Sequence, residues 1–225
     1  MPNPALLLCD SDALIQFFIA DDLRPLQSLR TQFGIQPVIA LEVDLELRWL
    51  AKHKDRFVST LDKALRTGTL AKLDQATFQS CLGTATPGTS WSTFQSLGTK
   101  YYGYVQRGEA YTHAAAVTLG MPAMTNDGNA VRVLEGQMLS VAVPTLRSFD
   151  LFSFALEFGV LQIKECEDIR SELLANGEGL PGPFANKSFE DGVKKFPCRL
   201  RHSNAPDASC APPTKYYEPL TIIPT

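Results

Sequence analysis

The sequence predicts an α/β protein of three layers, in which a central parallel sheet lies between two layers of helices. Short apolar runs typical of buried strands alternate along the chain with longer segments of helical periodicity. Glycine follows several of the helical segments, as at Gly34 and Gly120, where it suits a helix end. Such alternation implies parallel strands joined by helical crossovers. The chain has 225 residues, which is long enough for one domain with a buried core.

Six elements are predicted in the first part of the chain. They are strand 5–9, helix 12–20, helix 24–33, strand 36–40, helical sequence over 41–66 and an amphipathic helix over 69–82. The first strand is a continuous apolar run, which is typical of a strand buried on both faces. Pro25 suits the first turn of the second helix, and Gly34 suits its end. The apolar face of the last helix comprises Leu70, Leu73, Phe78 and Leu82.

The next stretch begins with a predicted loop. Residues 84–99 are rich in Gly, Thr and Ser and indicate a loop with at most one short helix. The elements predicted after it are helix 109–119, strand 122–125, helix 128–135, strand 138–143, helix 148–158 and helix 164–176. The first of these helices is rich in alanine and is followed by Gly120. Four strands are therefore predicted, each followed by helical sequence.

The chain divides at about residue 176. Residues 1–176 carry the alternating elements and form the predicted domain. Residues 177–225 hold eight of the 15 prolines, and no helical or strand period persists in them. We expect this extension to wrap the domain as an extended tail or to stay mobile.

Composition narrows the class of protein. The net charge is -3 and the pI is near 5.6, whereas nucleic-acid binders usually carry a basic surplus, although clustered acids at a metal site would also lower the pI. The five cysteines form no C-x-x-C pair, which excludes a disulfide framework and a standard zinc site.

The N-terminal segment lacks a basic region, and Asp10 and Asp12 interrupt its apolar run. We therefore expect no signal peptide and no membrane span, and a cytoplasmic protein.

Four acids fall near the carboxyl ends of the predicted strands. Asp10 follows the first strand, and Glu42 begins the helix after the second. Glu109 opens the alanine-rich helix that leads to the third strand, and Asp127 follows that strand. Ligands of parallel α/β sheets bind at this edge, so we expect these carboxylates to converge there. Crowded carboxylates raise one another's pKa values, and Mg²⁺ or Mn²⁺ would neutralise them.

A metal site of this kind predicts phosphodiester hydrolysis without a protein nucleophile, because bound ions activate water and stabilise the leaving oxygen. The sequence is consistent with this, since it contains neither a G-x-S-x-G elbow nor a G-x-x-x-x-G-K-[ST] phosphate loop. Taken singly, each acid also fits a strand end, a helix cap or a first helical turn. The hypothesis therefore depends on the position that all of them share.

The motifs around these acids resemble those of PIN-domain proteins, the ribonuclease fold found in many toxin–antitoxin pairs. LLLCDSDALIQFF resembles the opening strand of the family, with its acid at Asp10. PVIALEVDLELRW resembles the second motif, with its acid at Glu42. GEAYTHAAAVTLGMPAMTNDGNAVRVL is similar to the closing pattern, with Glu109 and Asp127 as third and fourth acids. The resemblance covers residues 5–176 and implies a PIN-like sheet with helices on both faces.

The resemblance implies an endoribonuclease that depends on Mg²⁺ or Mn²⁺ and hydrolyses RNA. Its catalytic and metal-binding residues would be Asp10, Glu42, Glu109 and Asp127. It also implies the toxin of a toxin–antitoxin pair, with an antitoxin protein as partner, and leaves room for a homodimer. Residues 68–107 are longer than in compact members, and the proline-rich extension has no counterpart in the family.

Several neighbouring residues allow two interpretations. Asp12 is either a cap of the first helix, which we favour, or a metal ligand. Glu46 lies one helical turn after Glu42 and could replace or supplement it, whereas Asp44 is expected to be solvated. His113 is expected to pack within its helix layer rather than face the metals. The candidates for phosphate contacts, which could equally be solvated charges, are Arg24, Arg48, Lys52, Arg107 and Arg132. The candidates for stacking on unpaired bases are Trp91, Tyr101, Tyr102 and Tyr104.

Two other functions compete with the nuclease. The D-S-D motif is similar to that of phosphatases, with Asp10 as nucleophile and Asp12 as acid, but Leu14 stands where those proteins need threonine. The other alternative is a non-catalytic PIN-like protein that binds RNA or a partner without cutting. The presence of all four expected acids favours the catalytic hypothesis over this one.

Overall fold

The computed structural model describes residues 5–50, 55–81, 90–137, 145–195, 200–202 and 220–222. Its elements up to residue 81 are β1 (Ala5–Cys9), α1 (Ser11–Ile19), α2 (Arg24–Phe33), β2 (Ile35–Ile39), α3 (Leu41–Leu50), α4 (Asp55–Arg66), β3 (Ala71–Lys72) and α5 (Gln75–Cys81). They continue with α6 (Trp91–Tyr102), α7 (Arg107–Leu119), β4 (Ala123–Met124), α8 (Gly128–Gln137), β5 (Thr145–Leu146), α9 (Ser148–Glu157) and α10 (Ile163–Ala175). The last are α11 (Gly182–Asn186), α12 (Phe189–Lys195), β6 (Leu200–His202) and β7 (Leu220–Ile222).

Five parallel strands form the central sheet, in the order β3-β2-β1-β4-β5, with helices flanking it. The predicted α/β class with a parallel sheet between helical layers is therefore confirmed. The central strand β1 pairs with β2, where Ala5 lies opposite Ile35, and with β4, where Leu8 lies opposite Ala123. Its side chains from Leu6 to Cys9 are buried, because helices cover both faces of a parallel sheet. The order places the carboxyl ends of β1 and β4 side by side.

Helix ends follow the sequence signals where glycine supplies them. Helix α2 has Pro25 in its first turn and ends at Gly34, whose φ of 66° is left-handed. Helix α7 ends at Gly120 with a φ of 65°. Such a conformation is strained for residues with a Cβ, so glycine fixes these boundaries. The helical sequence predicted over 41–66 forms two helices, α3 and α4, and residues 51–54 between them lie outside the described part of the chain.

The amphipathic helix predicted over 69–82 is wrong in its first half. Ala71 and Lys72 form the edge strand β3, in which Ala71 lies opposite Val38 of β2. The helix that follows, α5, begins only at Gln75, after Asp74, whose carboxylate accepts a hydrogen bond from the Thr77 N–H at 2.7 Å. The apolar residues of this segment are buried on both sides of that boundary, so their spacing gave a false helical period. Leu82 lies outside the described residues.

Helix α6 has 12 residues, so it begins within the loop predicted over 84–99 and extends beyond it, where at most a short helix was expected. Ser90 caps it, accepting a hydrogen bond from the Thr93 N–H at 3.1 Å. Gly98 faces the ring of Tyr111, and a Cβ there would come within 2.7 Å of that ring, so glycine allows α6 and α7 to approach closely. Tertiary packing of this kind overrides the low helix propensity of Gly, Ser and Thr. Residues 82–89 lie outside the described part of the chain.

The C-terminal extension contains regular structure that its composition did not predict. Helices α11 and α12 carry Phe184 and Phe189, whose rings lie 4.5 Å and 5.8 Å from the ring of Phe149 in α9. Strands β6 and β7 form a separate parallel pair. The strand predicted over 138–143 lies outside the described residues, and the edge strand β5 is formed by Thr145 and Leu146. None of the described helices has the length and apolar content that crossing a bilayer requires.

Candidate metal centre

Three carboxylates meet beyond the carboxyl ends of β1 and β4. One oxygen each of Asp10, Asp12 and Glu109 lies within 4.8 Å of the others, and we call these residues the acidic group. Asp10 follows β1, Asp12 lies in the first turn of α1, and Glu109 lies in the first turn of α7. Elements far apart in the chain therefore present acids to one point at the edge of the sheet, as expected for a parallel α/β fold.

Asp10 is held by the backbone around it. Its N–H donates to the Met124 carbonyl of β4 at 2.9 Å, and its side chain caps α1 by accepting from the Ser11 N–H at 2.8 Å. The residue is fully buried. Its position at the junction of the two central strands is the one that its place in the sequence predicted.

Asp12 contacts the loop after β4 rather than capping α1, so the interpretation as a helix cap is wrong. Its carboxylate accepts a hydrogen bond from the Asn126 N–H at 2.9 Å. The Thr125 hydroxyl lies 3.3 Å from a carboxylate oxygen of both Asp12 and Asp10. Asp10 caps α1 instead, and the Asp12 carboxylate faces those of Asp10 and Glu109. The D-S-D motif is the sequence feature that could have indicated Asp12 as a member of the acidic group, because it places two acids at one strand end.

Helix α3 presents Glu46, one turn beyond the predicted Glu42, to the acidic group. The Glu46 carboxylate accepts from the Ser11 hydroxyl at 3.0 Å. A Cβ on Gly108 would collide with that carboxylate and would lie 3.1 Å from Oδ1 of Asp10, so Glu46 and Asp10 flank the same glycine. Glu42 instead lies 3.8 Å from the guanidinium of Arg107. Its role as a metal ligand stays a prediction, and Glu46 is the acid of α3 that borders Asp10.

Asp127 borders the acidic group from the start of α8. One of its oxygens accepts from the N–H groups of Asn129 at 2.7 Å and Ala130 at 3.1 Å. Its charge contributes, after burial, to raising the pKa of Glu109. Asp127 is therefore both a helix cap and a neighbour of the acidic group, and its metal-binding role stays a prediction.

The acids of this site hold protons more tightly than usual. Burial, and then the charges of Asp12 and Glu109, raise the pKa of Asp10 well above its ordinary value. Burial also raises the pKa of Asp12 and of Glu46. The pKa of Glu109 is raised to about 7 by burial and by the charges of Asp127 and Asp12. No lysine or arginine of the described residues forms an ion pair with any of these acids, so that part of the chain supplies them with no paired counter-charge.

The donor set fits a hard divalent cation. Mg²⁺ and Mn²⁺ prefer carboxylate oxygens, and two oxygens on opposite sides of Mg²⁺ are about 4 Å apart. The oxygens of the acidic group lie within 4.8 Å of one another, so small side-chain movements would bring them to bonding distance. An ion there would also stabilise the ionised forms of the acids, which burial and mutual repulsion now disfavour.

His113 and Asp44 are two further polar residues whose surroundings the sequence predicted. His113 is buried in α7, and burial lowers its pKa to about 4, so it is neutral at pH 7. It is not a member of the acidic group, and its packing role within the helix layer stays a prediction. Asp44 was expected to be solvated, which is wrong. It is buried, and its carboxylate pairs with Arg48 at 3.1 Å and with Lys72 at 2.8 Å.

Arg107 is a candidate phosphate ligand in the same helical turn as Glu109. It precedes Glu109 by two residues, and 60% of its side chain is exposed. Arg24 pairs with Asp22 and Glu165, and Arg48 pairs with Asp44 and Asp62. Arg132 donates to the Gly128 carbonyl and to Asn129 within α8, and Lys52 lies outside the described residues. Of the aromatic candidates, Tyr101 is buried, and Trp91 packs on Phe78 and Phe94. Tyr102 and Tyr104 are exposed, at 56% and 50%.

Comparisons with protein-family models, with curated proteins and with solved structures find no match to this chain. The resemblance to PIN-domain proteins therefore stays a prediction carried by the motifs.

Proposed function

We propose that this chain is an endoribonuclease that depends on Mg²⁺ or Mn²⁺. The observation that carries the proposal is the acidic group, three carboxylates that converge at the edge of the sheet without a cation from the described residues. Asp10, Asp12 and Glu109 would hold the ion, with Glu46 and Asp127 beside them. The resemblance to PIN-domain proteins supports RNA as the substrate.

Electrostatics favours an ion at this point. A buried carboxylate is stable only when it is paired, hydrogen-bonded or protonated. Each carboxylate of the acidic group accepts a hydrogen bond, from Ser11 or Thr125 at Asp10, from Asn126 at Asp12 and from the Gln106 N–H at Glu109, but none of them pairs with a cation of the described residues. Because metal binding requires ionised carboxylates, an ion would lower the pKa of Glu109 from its value of about 7 in the metal-free protein.

The chemistry follows from the donor set. A divalent ion held by carboxylates activates water and stabilises the charge that develops on a phosphodiester, which is hydrolysis without a protein nucleophile. The protein would contribute by holding the three carboxylate ligands in place. The backbone of β4 and the first turn of α1 hold Asp10, the loop after β4 holds Asp12, and the first turn of α7 holds Glu109.

The surface beside the acidic group suits a single strand of RNA. Arg107 is exposed at the start of α7 and would contact a phosphate, with its weak pairing to Glu42 at 3.8 Å giving way. Tyr102 and Tyr104 precede it on the chain and are exposed, so their rings would stack on unpaired bases. An antitoxin partner and a homodimer rest on the family resemblance alone.

Cleavage of a fluorescent single-stranded RNA tests the proposal. We expect cleavage in Mn²⁺ or Mg²⁺ and none in EDTA. Asp10→Asn should lower the rate by about 100-fold or more, because it removes a ligand charge. Asp168→Asn is the matched control, since it changes an exposed aspartate of α10 and should leave the rate unchanged.

Two other results would replace the proposal. Hydrolysis of p-nitrophenyl phosphate without cleavage of RNA would identify a phosphatase that uses Asp10 as nucleophile. Binding of RNA without cleavage, equal in the wild-type chain and in Asp10→Asn, would identify a non-catalytic binding protein.

A further inference from the structure

A chain of buried hydrogen bonds connects the acidic group to the first residue of α9. The Asn126 N–H donates to Asp12, and the Asn126 side chain is in turn clamped by Ser148. The Ser148 N–H donates to Oδ1 of Asn126 at 3.1 Å, and Nδ2 of Asn126 donates to the Ser148 hydroxyl at 3.1 Å. Two hydrogen bonds therefore fix the rotamer of Asn126 and with it the peptide that contacts Asp12.

The chain continues beyond Ser148 into α1. The Ser148 hydroxyl donates to Oε1 of Gln16, and Nε2 of Gln16 donates to the Gly179 carbonyl at 3.4 Å. Ser148 and Gln16 are both buried, at 0% and 2% exposure. A buried polar group is stable only when its hydrogen bonds are made, so each member of this chain restricts the next. Gly179 belongs to the C-terminal extension.

The C-terminal extension also packs on the residue beside Ser148. The rings of Phe184 and Phe189 cover Phe149, the second residue of α9. The start of α9 therefore contacts both the aromatic rings of the extension, through Phe149, and Gln16 of α1, through Ser148. This arrangement explains why a polar serine occupies a fully buried position at a helix start, where an apolar residue would otherwise pack.

We propose that Gln16, Ser148 and Asn126 are positioning residues, which hold Asp12 in place for the metal ion and couple the metal centre to the C-terminal extension. This role rests on the proposed function, because it concerns how one ligand of the ion is fixed. Groups that orient metal ligands in this way commonly change metal affinity by about 10- to 100-fold when they are removed.

Titration of the full chain with Mn²⁺ tests this role. Ser148→Ala should raise the Kd for Mn²⁺ by about 10-fold, because Asn126 loses one hydrogen bond of its clamp and Gln16 loses its donor. Ser148→Thr keeps the hydroxyl and should restore most of the affinity. Ser153→Ala is the matched control, since it removes a buried serine of the same helix that is outside this chain of hydrogen bonds.

Rescue by excess metal separates positioning from folding. RNA cleavage by Ser148→Ala should fall at low Mn²⁺ and return to within about twofold of the wild-type rate at saturating Mn²⁺, because only the affinity for the ion has changed. Gln16→Met gives a second variant, which keeps the side-chain volume but removes the hydrogen bonds, and it should behave in the same way.

The outcomes separate this role from the proposed function. If the wild-type chain binds Mn²⁺ and both Ser148→Ala and Gln16→Met bind it equally well, the positioning role is overturned and the metal site stands. If the wild-type chain binds no Mn²⁺, the proposed function is overturned and this role with it.

Discussion

Two acids of helix α3, Asp44 and Glu46, lie two residues apart in opposite surroundings. Asp44 is buried beside Arg48 and Lys72, which supply its counter-charge. Glu46 faces the Ser11 hydroxyl and Asp10, a second carboxylate, and no lysine or arginine of the described chain pairs with it. Burial of an acid is ordinary when the protein supplies the cation. The acids around Asp10 have no such cation among the described residues, and a metal ion from solution would supply the positive charge.

The largest expected difference between the two regions is the response to Mn²⁺. The metal should raise the melting temperature of the wild-type chain, since an ion at 100 times its Kd stabilises the folded state by about 2.7 kcal/mol. Asp10→Asn should lose this stabilisation, and in EDTA it should be at least as stable as the wild type because one repelling charge is gone. Differential scanning fluorimetry with and without Mn²⁺ measures both. A decrease in stability of Asp10→Asn in EDTA would contradict the account of the acidic group.

Removing the acid of the paired region should have the opposite effect. Asp44→Asn should lower the free energy of unfolding by about 2 kcal/mol, because Lys72 loses its carboxylate partner and Arg48 keeps only Asp62, while both stay partly solvated. Its stabilisation by Mn²⁺ should equal that of the wild type. Urea unfolding with and without the metal tests this, and a loss of the Mn²⁺ response in Asp44→Asn would show that the two regions are not independent.

The metal-free chain should become less stable as the pH rises, because burial raises the pKa values of its clustered acids. The pKa of Glu109 is about 7 in the folded chain against an ordinary value of 4.5, so the folded state holds a proton that the unfolded state releases. The stability from Glu109 is thus fully present below pH 4.5 and is lost as the pH rises through 7.

In Mn²⁺ the trend should reverse, since the ion competes with protons, and each pH unit below 7 should weaken binding by up to about 10-fold per proton displaced. Unfolding and titration between pH 5 and about 8 measure both trends. The same pH trend with and without the metal would mean that Mn²⁺ does not displace these protons.

The smallest expected difference separates the two glutamates of α3. Glu46→Gln should raise the Kd for Mn²⁺ by about 10-fold, because Glu46 borders Asp10, whereas Glu42→Gln should change it by about twofold or less. Loss of Glu42 should instead release Arg107, which would alter RNA binding more than metal binding. Calorimetric titration of both variants with Mn²⁺ decides between them. A larger effect for Glu42→Gln would restore the ligand set that the sequence alone suggested.

The fold was largely predictable because its signals are local. The apolar run of β1 and the helix ends at Gly34 and Gly120 depend on neighbouring residues and were read correctly. The two-residue strand β3 and the length of helix α6 were not, since pairing with β2 and packing against Tyr111 determine them. The helices of the C-terminal extension are not predictable from its proline-rich composition, because they depend on the packing of Phe184 and Phe189 against Phe149.

The site was predictable only in part. Asp10 and Glu109 could be located because they follow or open elements at the carboxyl edge of the sheet. The choice between Glu42 and Glu46 could not be made, since residues one turn apart share a helix face and only tertiary packing decides which meets Asp10. The contact between Asp12 and Asn126 joins residues 114 positions apart, and no local pattern reports it.

The most direct test is a crystal structure of the chain soaked in Mn²⁺, with the ion located by its anomalous scattering. We expect a peak at about 2.1 Å from carboxylate oxygens of Asp10, Asp12 and Glu109. Crystals that show no peak at these three side chains, with Mn²⁺ present at millimolar concentration, would contradict it.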